Sequence, residues 1–178
     1  KVMKPVFKNR PNTAHKVGDK EIWESRSPAV VGFIFSIVGQ DMLVLAEKRS
    51  NKMPDEPGKW VVPCGYLDWD ENGWDALRRE VYEETSFFID KYSKYVAYDH
   101  NKDPFYVMTE PRENRQNIAL NYCIIYDFTD KGLPLAVEKY TDDEVAQVKW
   151  VNIKDIRKYD WAFEHDKRID MALNKIEL

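Results

Sequence analysis

Cysteine is scarce in this chain, and the two that occur, Cys64 and Cys123, stand far apart with no CxxC spacing. Each lies in an apolar, strand-like stretch, where a reduced buried thiol is the expected state; that points to a reducing, cytoplasmic setting. Cys64 has no neighbour in sequence that marks it as a nucleophile. Three histidines, His15, His100 and His165, show no metal-ligand spacing and read as surface or packing residues. Long apolar runs are missing too. The longest, Ala29 to Val38, is interrupted by Gly and Ser and is too short to span a bilayer, so no membrane partner is expected. Positive charge is not in excess: the net charge is −4, which gives no support for a nucleic-acid backbone as partner. No Gly-rich phosphate loop of the Walker type, no GxSxG elbow, no repeat and no low-complexity tract is present. The chain opens on Lys1 with no visible signal peptide, and we expect a few native residues to precede it.

What remains is the balance of a globular protein, with 43% hydrophobic and 33% charged residues and a generous 13% aromatic share. With 178 residues and no convincing linker, residues 1–178 are expected to form a single domain. Residues 1–20, rich in Lys, Asn and Pro, read as an arm or a short edge strand. Ala29–Val38 and Met42–Ala46 are apolar and β-branched, joined by Gly39-Gln40-Asp41, a hairpin signature. Lys48–Lys59 reads as a loop, Trp60–Pro63 as a short strand, and Tyr106–Thr109, Asn117–Phe128 and Val145–Val151 as strands. A helix is expected over Gly73–Thr85, with Asn72 as N-cap and Trp74, Leu77 and Val81 as its apolar stripe. Asp155–Tyr159 reads as a short helix, and an amphipathic helix from about Phe163 places Ile169, Leu173 and Ile176 on one face. Strands with a helix inserted among them and a terminal helix imply an α/β domain of the layered α+β kind.

Acidity is concentrated. Between Gly65 and Thr85 stand seven acidic residues against Arg78 and Arg79, a local balance of −5, so the rest of the chain sums to +1. On the predicted helix Glu80, Glu83 and Glu84 are spaced three and four apart, which makes them neighbours. A solvated acidic face would carry Lys or Arg one turn on, yet the positions four beyond these glutamates are Glu84, Phe87 and Phe88. Two like charges near 4 Å repel by about 4 kcal/mol at an effective dielectric of 20. Glu83 and Glu84 also lie near the helix C-terminus, where the macrodipole disfavours anions. A hard divalent cation with oxygen ligands would compensate directly. Upstream, Glu71 can fold back toward Arg79 to form a carboxylate–guanidinium clamp.

Gly65, five residues, Glu71, seven residues, then Arg79-Glu80-Val81-Tyr82-Glu83-Glu84-Thr85 resembles the Nudix box, residues 65–87 here. One position departs: Ser86 stands where the family has Gly, followed by the expected apolar Phe87. Because a left-handed residue is common just past a helix, the change costs turn geometry and removes no ligand. Weaker likeness in Trp23–Phe35, in Val145–Ile153 and in the last helix extends the resemblance over most of the chain.

The resemblance implies a Nudix fold, a mixed β-sheet sandwiched between helices. It implies Mg²⁺, with Mn²⁺ as alternative, held by Glu80 and Glu84, with Glu83 on a further metal or its water and the Cys64 carbonyl contributing a ligand. Glu71 and Arg79 would hold the turn. Candidates for the base are Glu83 and, from the Thr141-Asp142-Asp143-Glu144 loop, Glu144. The activity implied is cleavage of a pyrophosphate bond in a nucleoside diphosphate linked to another moiety: ADP-ribose, a nucleotide sugar or a dinucleotide. Nucleoside triphosphate pyrophosphohydrolysis and a non-catalytic nucleotide sensor are the alternatives, and a homodimer is an expectation by family.

One decoy competes. Asp68-x-Asp70-x-Asn72-Gly73 matches the first half of a calcium-hand loop, but its twelfth position is Arg79, which cannot ligate calcium. For the substrate, Gly65 would border the site. Phosphate contacts could come from Arg49, or from Arg26, Lys48, Lys52, Arg112 or Arg115. Base stacking could use Tyr66, Trp69 or Trp23, with core packing as the competing role.

Overall fold

The structure, a computed structural model, describes residues 12–111, 116–134 and 143–176. Strands β1 (Thr13–Val17) and β2 (Lys20–Glu24) form an antiparallel hairpin of their own. They do not join the main sheet, and every residue of both is exposed. The described part of the expected arm is therefore a two-stranded hairpin. Its turn is supplied by Gly18 at φ 62°, a signal that the surrounding charge obscured.

β3 (Pro28–Val38) and β4 (Asp41–Arg49) are the expected hairpin, longer at both outer ends. β5 (Trp60–Val61) pairs with β4, and β6 (Cys64–Tyr66) pairs with β3. Next come α1 (Gly73–Thr85) and a 3-10 segment, Ile89–Tyr95, which sequence periodicity did not reveal. Four strands follow: β7 (Val96–Tyr98), β8 (Tyr106–Met108), β9 (Ile118–Asp127) and β10 (Val145–Asn152). The chain then takes a 3-10 turn at Ile153–Lys158, where a short helix was expected, and ends in α2 (His165–Lys175). The main sheet runs β10-β4-β3-β9-β7. β3 and β9 pair in parallel from Pro28↔Ile118 to Ile37↔Asp127, and their strand neighbours pair antiparallel.

Alternation along β3 explains the layers. Val31, Phe33 and Phe35 face α2, where Ile169 and Ala172 complete one core cluster. Val30 and Ile34 face α1, where Ala76, Leu77 and Val81 complete the other. A strand buried on both faces reads as a continuous apolar run, which is what Ala29–Val38 is. The result is the mixed sheet between helices. Gly32 lets α1 come close, since a Cβ there would lie 2.7 Å from Leu77 Cδ1 and 3.3 Å from Val81 Cγ2. None of the helices among the described residues is long and apolar enough to cross a membrane.

Helix α1 is capped at both ends. Asn72 Oδ1 accepts from the Asp75 N–H at 3.0 Å, and Asn72 Nδ2 donates to Asp75 Oδ2 at 2.8 Å. At the other end Ser86 takes φ 58°, ψ 12° and donates its N–H to the Tyr82 carbonyl at 2.8 Å. That left-handed geometry favours glycine. Ser86→Gly should therefore stabilise the fold by about 1 kcal/mol, some 2–4 °C in Tm, which thermal unfolding would show.

Candidate active site

The short strand β6 delivers the chain to the 67–72 loop, which returns along α1. A single guanidinium fixes that return. Arg79 Nη2 and Nε donate to Glu71 Oε1 and Oε2 at 2.7 and 3.1 Å, a two-pronged ion pair. Nη2 also donates to the Tyr66 carbonyl at 3.0 Å, and Nη1 donates to Glu80 Oε1 at 2.8 Å and Glu83 Oε2 at 3.1 Å. The Asp68 N–H donates to Glu71 Oε1 at 2.7 Å, closing the loop on itself. Arg79, first of all, and this N–H hold the Glu71 carboxyl below its ordinary range. The clamp inferred from spacing is present as geometry.

Inside the clamp lie Glu80 and Glu84. Burial pushes the Glu80 carboxyl up despite Arg79. Glu84 opens only partly into the cleft, and burial raises it well above the carboxylate range, with the charges of Glu47 and Glu80 adding to the effect. The Cys64 N–H donates to Glu84 Oε2 at 2.9 Å and opposes this in part. The Cys64 thiol is pushed far up, chiefly by burial and then by Glu84, so it is protonated and inert as a nucleophile.

Gly65 is placed for closeness. A Cβ there would overlap the Glu80 carboxyl group. The obstruction is the tip of a flexible side chain, so Gly65→Ala should fold normally while displacing Glu80. We expect about a tenfold or greater loss of kcat/KM with the melting temperature within a few degrees of wild type, read by steady-state kinetics and thermal unfolding.

Glu80, Glu84, Cys64, Gly65, Tyr66, Arg49 and Glu144 all border one cleft of about 480 Å³. Glu71 and Arg79 stand behind its wall as braces. Glu83 does not border it; its side chain is 56% exposed and turns to Arg79. Among the described residues, no three Asp, Glu, His or Cys side chains converge closely enough to chelate one ion unaided.

Two expectations need correction. Trp69 is 96% exposed at the tip of the 67–72 loop and outside the cleft, because the clamp pins the loop at Tyr66, Asp68 and Glu71 and leaves its tip in solvent. Trp23 is 62% exposed on the separate hairpin. Neither is placed to stack on a base in the cleft. Tyr66 does border the cleft, its hydroxyl accepting from Asn117 Nδ2 at 3.2 Å. Of the cationic candidates, Arg49 lines the cleft, while Lys52 is tied to Asp143 at 2.5 Å. Arg112, Arg115, Thr141 and Asp142 lie outside the described residues.

Sequence reasoning passed over Glu47 and Arg168, which are 2% and 7% exposed and both line the cleft. Glu47 follows an apolar run and precedes Lys48-Arg49, so it read as a solvated strand end. In fact β5 and β10 flank it, opposite Val61 and Val148. Its parity with Leu45, which faces α1, was the available signal. His165 is a packing residue as expected: it is buried, and its Nδ1 accepts from the Val62 N–H at 3.1 Å.

No curated protein sequence matches this chain. Solved structures do resemble it. The NUDIX domain of NrtR from Shewanella oneidensis, complexed with ADP ribose, superposes with a TM-score of 0.59 at 20% identity, over 85% of this chain and 89% of that one. An Ap4A hydrolase from C. elegans gives 0.58 at 18% identity, over 83% and 97%. A bifunctional NMN adenylyltransferase/ADP ribose pyrophosphatase from Francisella tularensis, complexed with AMP and Mn ion, gives 0.62 at 23% identity, over 85% of this chain but 42% of that longer one. At such identities the likeness is one of fold. The sequence profile of the NUDIX domain, however, matches residues 25–171, most of the chain and the whole of the clamp and cleft wall. This chain belongs to the Nudix hydrolase superfamily.

Proposed function

We propose that the chain is a divalent-metal-dependent hydrolase that cleaves the phosphoanhydride bond of a nucleoside diphosphate derivative. The observation that carries this reading is the pair Glu80 and Glu84, two poorly hydrated carboxylates facing one cleft and held there by Arg79 and the Cys64 N–H.

The donor set suits a hard cation. Carboxylate oxygens at Glu80 and Glu84, together with the Cys64 carbonyl, would hold Mg²⁺ or Mn²⁺, and the side-chain space spared by Gly65 accommodates the Glu80 carboxyl. Mg²⁺ commonly takes one or two carboxylates and fills its remaining positions with water and substrate phosphate, so a protein set short of three side chains is appropriate. When bound, the ion neutralises phosphate charge and makes attacking water more acidic.

The protein's own residues do the rest. Arg79 keeps Glu80 turned inward and the Tyr66 carbonyl fixed. Glu144 is the better-placed base of the two candidates, since it borders the cleft and Glu83 does not. Its backbone carbonyl accepts from the Ser50 N–H at 2.7 Å, which anchors the residue beside β4. Removing a general base of this kind costs about 10²–10⁴-fold in rate.

ADP-ribose, nucleotide sugars and dinucleotides are the substrates this reading favours. ADP ribose in the NrtR domain and AMP in the Francisella protein support it by analogy of fold. A panel of nucleoside diphosphate derivatives and triphosphates, assayed with Mg²⁺ for phosphoanhydride cleavage, tests it. Turnover of at least one diphosphate derivative is expected. Binding without turnover of any would replace the enzyme with a nucleotide sensor.

A further inference from the structure

The cleft is electrically lopsided. Seven carboxylate residues line it, against two arginines, Arg49 and Arg168. A substrate with two phosphates cannot enter such a cleft unless cations meet it at both phosphates. The glutamates of α1 offer a place for a cation on one side; the arginines supply fixed positive charge on the other. From this arrangement we infer that Arg49 and Arg168 form a phosphate subsite on the α2 side of the cleft, which holds the phosphate that is not attacked. The inference takes its substrate from the hydrolase reading above.

Arg49 is prepared for that work. Its Nε donates to the Asp55 carbonyl at 3.0 Å, and its guanidinium lies over the Phe163 ring at 5.1 Å. Nη1 and Nη2 make no hydrogen bond to the described residues. A guanidinium stacked on a ring and fixed through Nε presents its two terminal nitrogens as a ready fork for phosphate oxygens.

The platform under it is maintained at a cost. Phe163 has φ 54° and Glu164 φ 56°, consecutive left-handed residues without a glycine. A bulky side chain rarely adopts that backbone, and such strain persists where the surroundings require it. Here it brings the Phe163 ring against Arg49. Arg168 comes from the first turns of α2, is buried, and touches Met108 Sδ at 3.6 Å while still bordering the cleft. Burying a guanidinium is expensive unless anions compensate it, and a substrate phosphate would add to that compensation.

Calorimetric titration of the whole chain with inorganic pyrophosphate and with orthophosphate, in EDTA, tests the subsite without requiring metal or turnover. Wild type and Glu84→Gln should bind pyrophosphate, and orthophosphate more weakly. Arg49→Gln and Arg168→Met should each weaken binding by about tenfold or more, the loss of a charge-assisted pair of hydrogen bonds, with Arg168→Lys recovering part of it. Arg49 is the variant whose fold is least at risk, because its side chain is only part-buried. Pyrophosphate binding unchanged in Arg49→Gln, or no binding to wild type and Glu84→Gln alike, would overturn the subsite. An inactive protein that still binds pyrophosphate through the arginines would sink the hydrolase reading and leave the subsite standing.

Discussion

Glu84→Gln should abolish most turnover and at the same time make the metal-free protein more stable. The two effects have one origin. Glu84 is penalised in the fold by burial and by the charges of Glu47 and Glu80, which together raise its carboxyl well above the ordinary range. A raised acid weakens the fold as pH climbs from the unfolded value of about 4.3 through the folded one. Without divalent cation, wild type should therefore melt lower at pH 8 than at pH 5.5, and Glu84→Gln should flatten that slope. Adding Mg²⁺ offsets the repulsion. At a hundredfold excess over Kd the gain is about 2.7 kcal/mol, several degrees in Tm for a chain of this size. Glu84→Gln should lose that gain and lose at least about a hundredfold in kcat/KM. Thermal melts with and without Mg²⁺, beside steady-state rates, check both. A variant that stays active, or that still gains stability from Mg²⁺, contradicts the role given to Glu84.

Arg79→Met should be the most damaging substitution to the fold of the site. Arg79 donates to Glu71, Glu80, Glu83 and the Tyr66 carbonyl, and its side chain is 26% exposed. Removing it strands Glu71 and Glu80, whose side chains are 15% and 13% exposed. Breaking a buried pair costs about 3–5 kcal/mol; allowing for partial exposure, about 2–4 kcal/mol is expected here. Activity should fall with it, because Glu80 loses its brace and the 67–72 loop its anchor. Arg79→Lys should recover little, since one ammonium cannot reproduce the fork that spans Glu71, Glu80 and Tyr66. Denaturant unfolding gives the first quantity and kcat/KM the second. Full activity in Arg79→Lys would show that the fork is dispensable.

Much of this was readable from residue order. The hairpin of β3 and β4 followed from two β-branched runs joined at Gly39, and α1 from Asn72 and the Leu77–Val81 stripe. The Glu71–Arg79 clamp followed from spacing alone, because a loop that returns along its own helix has few places to go. Ser86 could be placed in the left-handed cap before its φ was known. What failed to show was whatever depends on distant chain. Glu47 reads as a strand end until β5 and β10 close over it on both sides. Arg168 reads as a solvated helix position until α2 packs its neighbour Ile169 into the core. Trp69, the most conspicuous aromatic of the acidic loop, was assigned to the cleft by composition and excluded from it by the clamp. The hairpin of β1 and β2 was hidden by its charge, since none of its residues is buried and no apolar period announces it.

The most direct test of the central claim is a calorimetric titration of Mn²⁺ or Mg²⁺ into wild type, Glu80→Gln and Glu84→Gln. If those two carboxylates hold the ion, wild type binds it and each variant loses affinity by about tenfold or more. Equal binding by all three would place the cation elsewhere and leave the cleft without its chemistry.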